Sequence, residues 1–532
     1  MSDLIRKTVR CWQRGSQHQV LSIGACGILG CLLPAALGIF TDFPEPLGHD
    51  EHAYVLQADT FSQGRLTNPT HPLWLHFASP HILHEPTYCS KFPPGQGLVL
   101  AAGQWLGGHP AYGIWLGSGL FAASLCWMLQ AWTRPRWATV GTLLMILNIG
   151  INSYWSQSYW GGMVAAAGGA FFFGGFRRTI KQPQVGSAVL MAVGVVTLAN
   201  TRPFEGAVVT VPAIVVFARW MFWSGSLHSF SEKMYRTVLP GGIVVGLGAA
   251  SMLAYNHSTT GDFCTMPYTV YHQKYFSAPL FVFQQENQGI QFANARLKRV
   301  DETYPPREVR ALDFFYAPRG IIQKQTVFLL GNIITVTLLF IPWMLGERWL
   351  RFAIISWALL IVIMSFANFH GAVHYSAPTS CLVYLFVVEA LRRLHILRRG
   401  ESPSLRIKAR YLLTSLLALW VMWDGVAILR QLKHTPTAVP KVVEGQRFSR
   451  RQLMHHLSNL SGQHLVVVTY AQGYSVHDEW VYNQADIDQQ KIVWAHARGT
   501  SANQKLRIHY DDRSAWRLHL SPTATTFQRW EE

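Results

Sequence analysis

The chain has 532 residues, of which 50% are hydrophobic and only 14% are charged. An ordinary soluble globular enzyme is excluded, because its charged fraction is about a quarter. The formal net charge of +17 has the sign that nucleic-acid binding requires, but the Lys and Arg residues are concentrated in alternate short segments between apolar runs. That distribution is typical of the cytoplasmic loops of membrane proteins and argues against nucleic acid as a partner.

Apolar runs of about 16 to 22 residues recur along most of the chain, and a helix needs about 20 such residues to cross the hydrocarbon core. We therefore predict a mainly α, polytopic membrane protein with about eleven transmembrane helices, embedded in the lipid bilayer. The predicted spans are residues 20–40, 110–131, 137–152, 160–176, 185–200, 204–221, 237–255, 326–345, 350–368, 372–391 and 410–430.

The basic segments set the predicted orientation. They lie at residues 6–14, 134–136, 177–181, 233–236, 348–351 and 392–410. The intervening short loops "NSYWSQSYWGG", "NTRPFEG" and "NFHGAVHY" carry Arg202 as their single basic residue. The positive-inside rule then places the N-terminus in the cytoplasm and, after eleven crossings, the C-terminus outside.

Three segments are predicted to face outward: residues 41–109, residues 256–325 and the chain after about residue 436. The first contains "GQGLVLAAGQWLGG", which is too short to cross the bilayer and is predicted to be an interfacial or re-entrant helix. Cys89 and Cys264 lie in the two outward loops, so a disulfide between them is one alternative and two free thiols the other.

The sequence divides into a transmembrane domain, residues 1–435, and an accessory domain, residues 436–532. In the second, "RQLMHHLSNL" and "SANQKLRIHY" read as helices, and "HLVVVTY", "KIVWAHA" and "SAWRLHL" read as strands. Strands separated by helices favour a parallel, Rossmann-like α/β sheet. No glycine fingerprint for a nucleotide precedes a helix, so we expect a lid or docking role.

Acid and base chemistry is concentrated directly after the first span, in "GHDEHAY". Sugar transfer from a phosphate leaving group needs a carboxylate to take the acceptor's proton and cations to stabilise the phosphate. Asp50 or Glu51 is the candidate base. The candidate phosphate-binding cations are Lys91, Arg202 and Lys274. Pro203 suits the first turn of a helix, which puts Arg202 at a positive helix start.

The order "GHDEHAY", "GRLTNP", "KFPPGQGL" and "GHPAYGIWLGSGLF" resembles the GT-C superfamily. Within it the likeness is to glycosyltransferase family 39 and the RgtA/B/C/D-like group, the protein O-mannosyltransferase and lipid A aminoarabinose transferase type, over about residues 20–390. The resemblance implies an inverting enzyme of the bacterial plasma (inner) membrane with a polyprenyl-phosphate sugar donor. It also implies that Asp50 is the base, Glu51 its neighbour in an acidic pair, and Lys91 the cation of a Lys-Pro-Pro segment. Phe92 departs from that segment, because it separates Lys91 from the prolines.

Other outward polar and aromatic residues are predicted to contact substrate, since Tyr and Trp combine an apolar ring with a polar tip. They are His49, Tyr54, Tyr159, Trp160, Glu205, His374 and Tyr375. The aromatic residues have an alternative role in the interfacial belt of a membrane helix. The spacing of His370 and His374 suits a metal ligand pair, but scattered loop histidines are usually solvated, so we predict no cofactor and leave a divalent metal as the alternative.

The leading hypothesis is an integral-membrane inverting glycosyltransferase that moves a sugar from a polyprenyl-phosphate donor to an acceptor hydroxyl on a glycan, lipid or protein at the periplasmic side. The alternatives are a transporter or lipid-linked-sugar flippase, an O-antigen polymerase or ligase, and an inactive scaffold. Carriers place ionisable groups near the membrane midplane. Here Glu205, Glu389 and Asp424 fall near the ends of predicted spans, which weakens the transport hypothesis.

Overall fold

The computed structural model describes residues 18–151, 153–222, 228–281, 283–303, 317–367, 372–398, 403–433 and 448–530. The basic segment predicted at residues 6–14 and His370 lie outside the described residues. The chain is mainly helical, with a sheet near its C-terminus.

A helix begins within or close to each predicted apolar run. These helices are α1 (Gln19–Phe40), α4 (Ala111–Trp132), α5 (Pro135–Met145), α6 (Gly162–Lys181), α7 (Val185–Ala199), α8 (Pro203–Phe222), α9 (Phe230–Thr260), α12 (Ala317–Thr335), α13 (Arg348–Met364), α14 (Ser380–Leu397) and α15 (Pro403–Lys433). Several contain or adjoin other helical turns: π turns at Ile146–Gly150 after α5 and Met234–Val238 within α9, 3-10 turns at Val336–Phe340 and Val373–Thr379, and a short helix at Ile341–Met344.

Among the described residues, four helices are long and apolar enough to cross a membrane: α1, α4, α8 and α9. A fifth is counted if α12 and the helical segment after it, bent by 115°, form one broken span. The multi-pass architecture therefore holds, but the prediction of about eleven spans is not confirmed. Other runs form helices that are too short, as α7 and α13 are, or that carry charges, as α14 does through Glu389 and Arg392.

The segments predicted to face outward hold the remaining helices and a short ladder. Their elements are α2 (His49–Ser62), a 3-10 turn (Trp74–His76), β1 (Ile82–Leu83), β2 (Cys89–Ser90), α3 (Pro94–Gly107), α10 (Pro267–Tyr275) and α11 (Ala295–Glu302). The predicted interfacial helix corresponds to α3, which has 14 residues. A Cβ on Gly103 of α3 would lie 1.9 Å from the backbone nitrogen of Gly113 in α4, so the absence of a side chain lets the two backbones touch.

The two outward cysteines are not joined. Cys89 is buried in β2 and Cys264 is exposed, and both are free.

The C-terminal region contains α16 (Arg450–Ser458), β3 (His464–Tyr470), β4 (Ile492–His496), α17 (Thr500–His509), β5 (Ser514–Leu520) and β6 (Thr525–Arg529). The strand order is β4-β3-β5-β6, and β3 pairs in parallel with both β4 and β5. The parallel pairing follows the predicted alternation of strands and helices. The antiparallel edge strand β6 was not predicted, because "TTFQR" carries few apolar residues.

This sheet packs directly on the outward segments. One apolar cluster contains Ala53 and Leu56 of α2 together with Leu465 and Val467 of β3. Polar contacts add to it: Arg65 forms two 2.9 Å hydrogen bonds with Asp486. The C-terminal domain therefore rests on the segment that contains Asp50.

Candidate functional site

Helix α2 presents two different faces. It begins after Gly48, its N-cap residue. Because side chains three to four residues apart share a helix face, Asp50 and Tyr54 lie on one side, while His52, Val55 and Asp59 lie on the other. The second side, but not Asp50, lines a cavity of about 1000 Å³ beneath the C-terminal domain.

Asp50 pairs with a histidine that follows it by 31 residues in the chain. His81 Nε2 lies 3.0 Å from Asp50 Oδ1, and the Asp50 side chain is 24% exposed. Burial by itself raises the pKa of Asp50, but the interaction with His81 and the positive charge of Lys91 outweigh burial and hold that pKa below its usual range. Asp50 is therefore an ionised carboxylate at neutral pH.

The backbone of His81 has an unusual conformation that aims its ring. Its φ is +67°, in the left-handed region that costs energy for a residue with a Cβ. Its N–H donates to the Tyr271 hydroxyl at 2.8 Å, and its carbonyl accepts the Lys91 N–H at 3.1 Å. Burial lowers the pKa of His81, so the ring is neutral. Its Nε2 carries the proton shared with Asp50, and its buried Nδ1 has no hydrogen-bond partner in the described part of the chain.

Lys91 is a buried cation inside an aromatic box. Its Nζ lies 4.8 to 5.4 Å from four ring centroids, which belong to Phe92, Tyr268, Tyr271 and Phe276. Such rings attract an ammonium through their negative faces. Burial lowers the pKa of Lys91 to about 7, against the opposing attraction of Asp50. Within the described ranges, no carboxylate forms an ion pair with Nζ and no acceptor lies within hydrogen-bond distance of it.

Arg202 is the second cation of this site. It immediately precedes α8, which begins at Pro203, as the sequence predicts. Its guanidinium carbon lies 4.9 Å from the centre of the Tyr375 ring. Glu205 and Asp50 influence it electrostatically, but no carboxylate of the described chain lies within ion-pair distance of its guanidinium.

Glu51 has a role different from that of its neighbour. Its carboxylate accepts the Tyr159 N–H at 3.5 Å and also the backbone N–H groups of Leu47 and Gly48. This is the return half of a capping box, which satisfies free N–H groups at a helix start. Burial raises the pKa of Glu51 to about 7. The contacts tie Glu51 to the backbone, whereas Asp50 faces the cations.

An aromatic wall contains several of the predicted substrate-binding residues. The His374 ring lies edge-on to Trp160, with ring centroids 4.9 Å apart, and also contacts Tyr375. His374 Nδ1 and Trp160 Nε1 are buried and lack a hydrogen-bond partner among the residues that the structure describes. Tyr159 instead donates its hydroxyl to the Pro44 carbonyl at 2.8 Å. A charge on His374 would influence Asp50, which indicates that this wall lies near the carboxylate.

Two predicted site residues have contacts of another kind. Lys274 is half-exposed; its Nζ donates to the Glu85 carbonyl at 3.2 Å and lies 3.9 Å from the Glu85 carboxylate. His49 is buried, and its Nδ1 lies 2.7 Å from the Tyr482 hydroxyl. His49 therefore faces the C-terminal domain.

Sequence reasoning missed His81, Tyr271 and Tyr482 as site components. His81 lies in a segment with many histidines, where no spacing distinguishes it from the others. Tyr482 is 433 residues from its partner His49. The clue available in the sequence was the acidic segment "SVHDEWVYNQADID", which contains Tyr482 but carries no catalytic pattern.

No family model matches the sequence, and none of the curated proteins matches it either. Among solved structures, the apo form of ArnT from Cupriavidus metallidurans, a lipid A aminoarabinose transferase, matches with a TM-score of 0.50 and 11% identity over 92% of each chain. The chain has the GT-C fold.

Two further GT-C structures are similar to this chain at lower scores. ArnT from the same organism bound to undecaprenyl phosphate has a TM-score of 0.48 and 11% identity over 92% of each chain. The oligosaccharyltransferase AglB from Archaeoglobus fulgidus, in complex with an inhibitory peptide and a dolichol-phosphate, has a TM-score of 0.48 and 10% identity, covering 94% of this chain and 69% of its own.

The described part of the chain also contains one cluster with metal-ligand spacing: His71, Asp488 and His509. His71 Nδ1 accepts the Leu73 N–H at 2.9 Å, and its Nε2 lies 3.0 Å from Asp488 Oδ1. A neutral imidazole whose Nδ1 is an acceptor carries its proton on Nε2. The Nε2 lone pair is therefore not available to a metal, and the cluster acts as a polar contact between the first outward segment and the C-terminal domain.

Proposed function

We propose that the protein is an integral-membrane inverting glycosyltransferase of the bacterial inner membrane. It moves a sugar from a polyprenyl-phosphate-linked donor to an acceptor hydroxyl at the periplasmic face. The observation that carries this proposal is the cluster around Asp50: an ionised, partly exposed carboxylate beside Lys91 and Arg202, two cations without an ion-pair partner among the described residues. A base and an anion-binding pair are the two components that sugar transfer from a phosphate needs.

Asp50 is the proposed general base. Because His81 occupies Oδ1, the other carboxylate oxygen is free to accept the proton of the acceptor hydroxyl. As that proton moves to Asp50, the acceptor oxygen attacks the anomeric carbon of the donor sugar. The bond between that carbon and the phosphate oxygen breaks with its electron pair going to the phosphate. A single displacement of this kind inverts the anomeric configuration.

Lys91 and Arg202 are the proposed phosphate ligands. A phosphate group makes strong charge-assisted hydrogen bonds with both ammonium and guanidinium groups. Arg202 stands at the start of α8, where the helix dipole adds to the attraction for an anion. The cations stabilise the charge that develops on the leaving phosphate, which is the electrostatic contribution that typically dominates such a step.

The aromatic wall suits the sugar itself. Trp160 has a buried ring N–H and His374 has a buried ring nitrogen, and neither atom has a hydrogen-bond partner in the described residues. His374 is the member of this wall that lies near Asp50. Aromatic rings bind the apolar face of a sugar, and ring nitrogens bind its hydroxyls. We propose that Trp160, His374 and Tyr375 contact the donor sugar, with Tyr54 and Glu205 contributing to the polar surroundings of Arg202.

The test is turnover of a panel of radiolabelled polyprenyl-phosphate sugars by the purified protein in nanodiscs supplied with a bacterial envelope extract as the source of acceptor hydroxyls, with free polyprenyl phosphate and sugar product measured separately. We expect one donor to be consumed, with release of polyprenyl phosphate and a product of inverted anomeric configuration. Saturable binding of donors without consumption of any would contradict a transferase and favour a carrier of lipid-linked sugars.

A further inference from the structure

We propose that Tyr482 of the C-terminal domain is a positioning residue that holds Asp50 and His81 in their paired geometry. This inference rests on the proposed function, because it assigns the C-terminal domain a part in the same reaction. The domain is then a structural component of the catalytic site.

The Tyr482 hydroxyl contacts the two residues that directly precede Asp50 and His81 in the chain. It lies 2.7 Å from His49 Nδ1 and 3.4 Å from the carbonyl oxygen of Pro80. His49 directly precedes Asp50, and Pro80 directly precedes His81. A single oxygen atom therefore links the first turn of α2 to the segment that carries the histidine partner of Asp50.

The ring of Tyr482 adds a second contact with α2. It stacks on His52 with a centroid distance of 3.9 Å and an interplanar angle of 8°. Burial lowers the pKa of His49 to about 3 and holds that of His52 well below its usual range, so both imidazoles are neutral. Tyr482 therefore contacts α2 through a hydrogen bond between neutral groups and through a ring stack. Neither contact changes near neutral pH, because His49 and His52 do not titrate there.

The segment that carries Tyr482 is itself held by several contacts. Three residues before it, the Glu479 carboxylate pairs with Arg296 Nε of α11 at 3.1 Å, and both residues are buried. One residue before it, the Val481 carbonyl accepts the Ser79 hydroxyl. Arg450 donates to the Tyr482 carbonyl at 2.9 Å. Tyr482 is thus held in one position, which is the requirement for a residue that positions others.

The backbone of His81 is strained and needs contacts that hold it in place. Its φ of +67° costs about 1 kcal/mol or more for a residue with a Cβ and persists only where the surroundings enforce it. The backbone of His81 bonds Tyr271 through its N–H and Lys91 through its carbonyl, and the preceding carbonyl, that of Pro80, accepts the Tyr482 hydroxyl. Without the Tyr482 contact, we expect His81 to relax away from Asp50.

The test compares Tyr482→Phe with Tyr510→Phe in the full-length protein. Tyr510 is a matched control, because it is a buried tyrosine of the same domain interface whose hydroxyl bonds Asp488, away from α2. Two quantities are measured: hydrogen exchange of backbone amides in residues 47–54 and 79–83, and kcat and donor KM. For Tyr482→Phe we expect faster exchange in both segments and a kcat about tenfold lower, the size of one lost hydrogen bond, with donor KM unchanged. For Tyr510→Phe we expect neither effect.

Unchanged exchange in both segments of Tyr482→Phe would overturn the proposal, as would an equal loss of kcat in Tyr510→Phe, which would indicate general loosening of the interface. If the wild-type protein turns over no donor, the proposed function fails. The exchange comparison then still decides the positioning role: faster exchange confined to Tyr482→Phe supports it, and unchanged exchange rejects it.

Discussion

Asp50 Oδ1 and His81 Nε2 lie 3.0 Å apart, on segments that the chain brings together only through the fold. The pairing leaves Asp50 charged despite its burial and commits one of its oxygens to the histidine. The other oxygen has no described partner, so one contact both orients the proposed base and helps to keep it ionised.

Replacing His81 with Ala removes that contact. We expect kcat to fall roughly 30-fold, because a hydrogen bond to a charged group contributes about 2 kcal/mol. The affinity for donor should change little, since Lys91 and Arg202 remain. Donor binding and turnover measured on the same preparation check this. A variant with wild-type kcat would show that His81 does not orient the base.

Donor affinity is predicted to depend on the protonation of Lys91, whose pKa is lowered to about 7. Below that pH the ammonium is charged and binds phosphate; above it the amine is neutral and binding weakens. The dissociation constant should rise up to about tenfold per pH unit on the alkaline side. Lys91→Arg keeps its charge, because a guanidinium stays protonated, so its donor affinity should be flat from pH 6 to 9. Parallel curves for the two proteins would contradict this assignment.

Glu51→Gln tests whether the two neighbouring acids have separate roles. The folded-state pKa of Glu51 is raised to about 7, so the folded protein binds more protons at this site than the unfolded chain between about pH 4.5 and 7. Glu51 therefore makes stability fall as pH rises through that window. Glu51→Gln should lose this dependence in thermal unfolding and keep at least a third of wild-type kcat. Complete loss of activity in a folded Glu51→Gln protein would instead indicate that Glu51 takes part in the chemistry.

The buried pair of Arg296 and Glu479 is predicted to hold the C-terminal domain on the outward loops. Arg296→Met leaves the carboxylate buried without its partner, which costs about 3 to 5 kcal/mol. The matched control is Arg65→Met, because Arg65 and Asp486 are 32% and 36% exposed and such a pair contributes about 1 kcal/mol or less. Native-state proteolysis measures the free energy of opening of the C-terminal domain in each variant. Equal susceptibility of the two variants would contradict a dominant role for the buried pair.

Much of the helical framework was predictable from the sequence, because apolar run length is a local property. A helix occurs at each predicted run, and α8 begins at Pro203 as its sequence indicates. The number of spans was not predictable in the same way, because bends and breaks such as the 115° turn after α12 depend on tertiary packing. Gly331 has a φ of +63° inside α12. A single glycine in an apolar run does not by itself predict a bend in a helix.

Part of the candidate site could be proposed from the sequence for a similar reason. Asp50, Lys91 and Arg202 stand in recognisable local contexts, next to a span, a proline pair and a helix start. His81 and Tyr482 do not, because their roles arise from a left-handed backbone turn and from docking of a distant domain. Lys274 shows the converse: its charge and its predicted loop matched the pattern, but its contacts are with Glu85.

The most direct test of the account is the rate of sugar transfer by Asp50→Asn, compared with Asp59→Asn on the opposite face of the same helix. Asp59 accepts the Ala485 N–H at 2.8 Å, and the amide oxygen of Asn preserves that contact. We predict that Asp50→Asn still binds donor but transfers sugar at least about 100-fold more slowly, since a general base contributes about 10² to 10⁴ in rate, while Asp59→Asn transfers at close to the wild-type rate. Wild-type transfer by a stable, inserted Asp50→Asn protein would contradict the account.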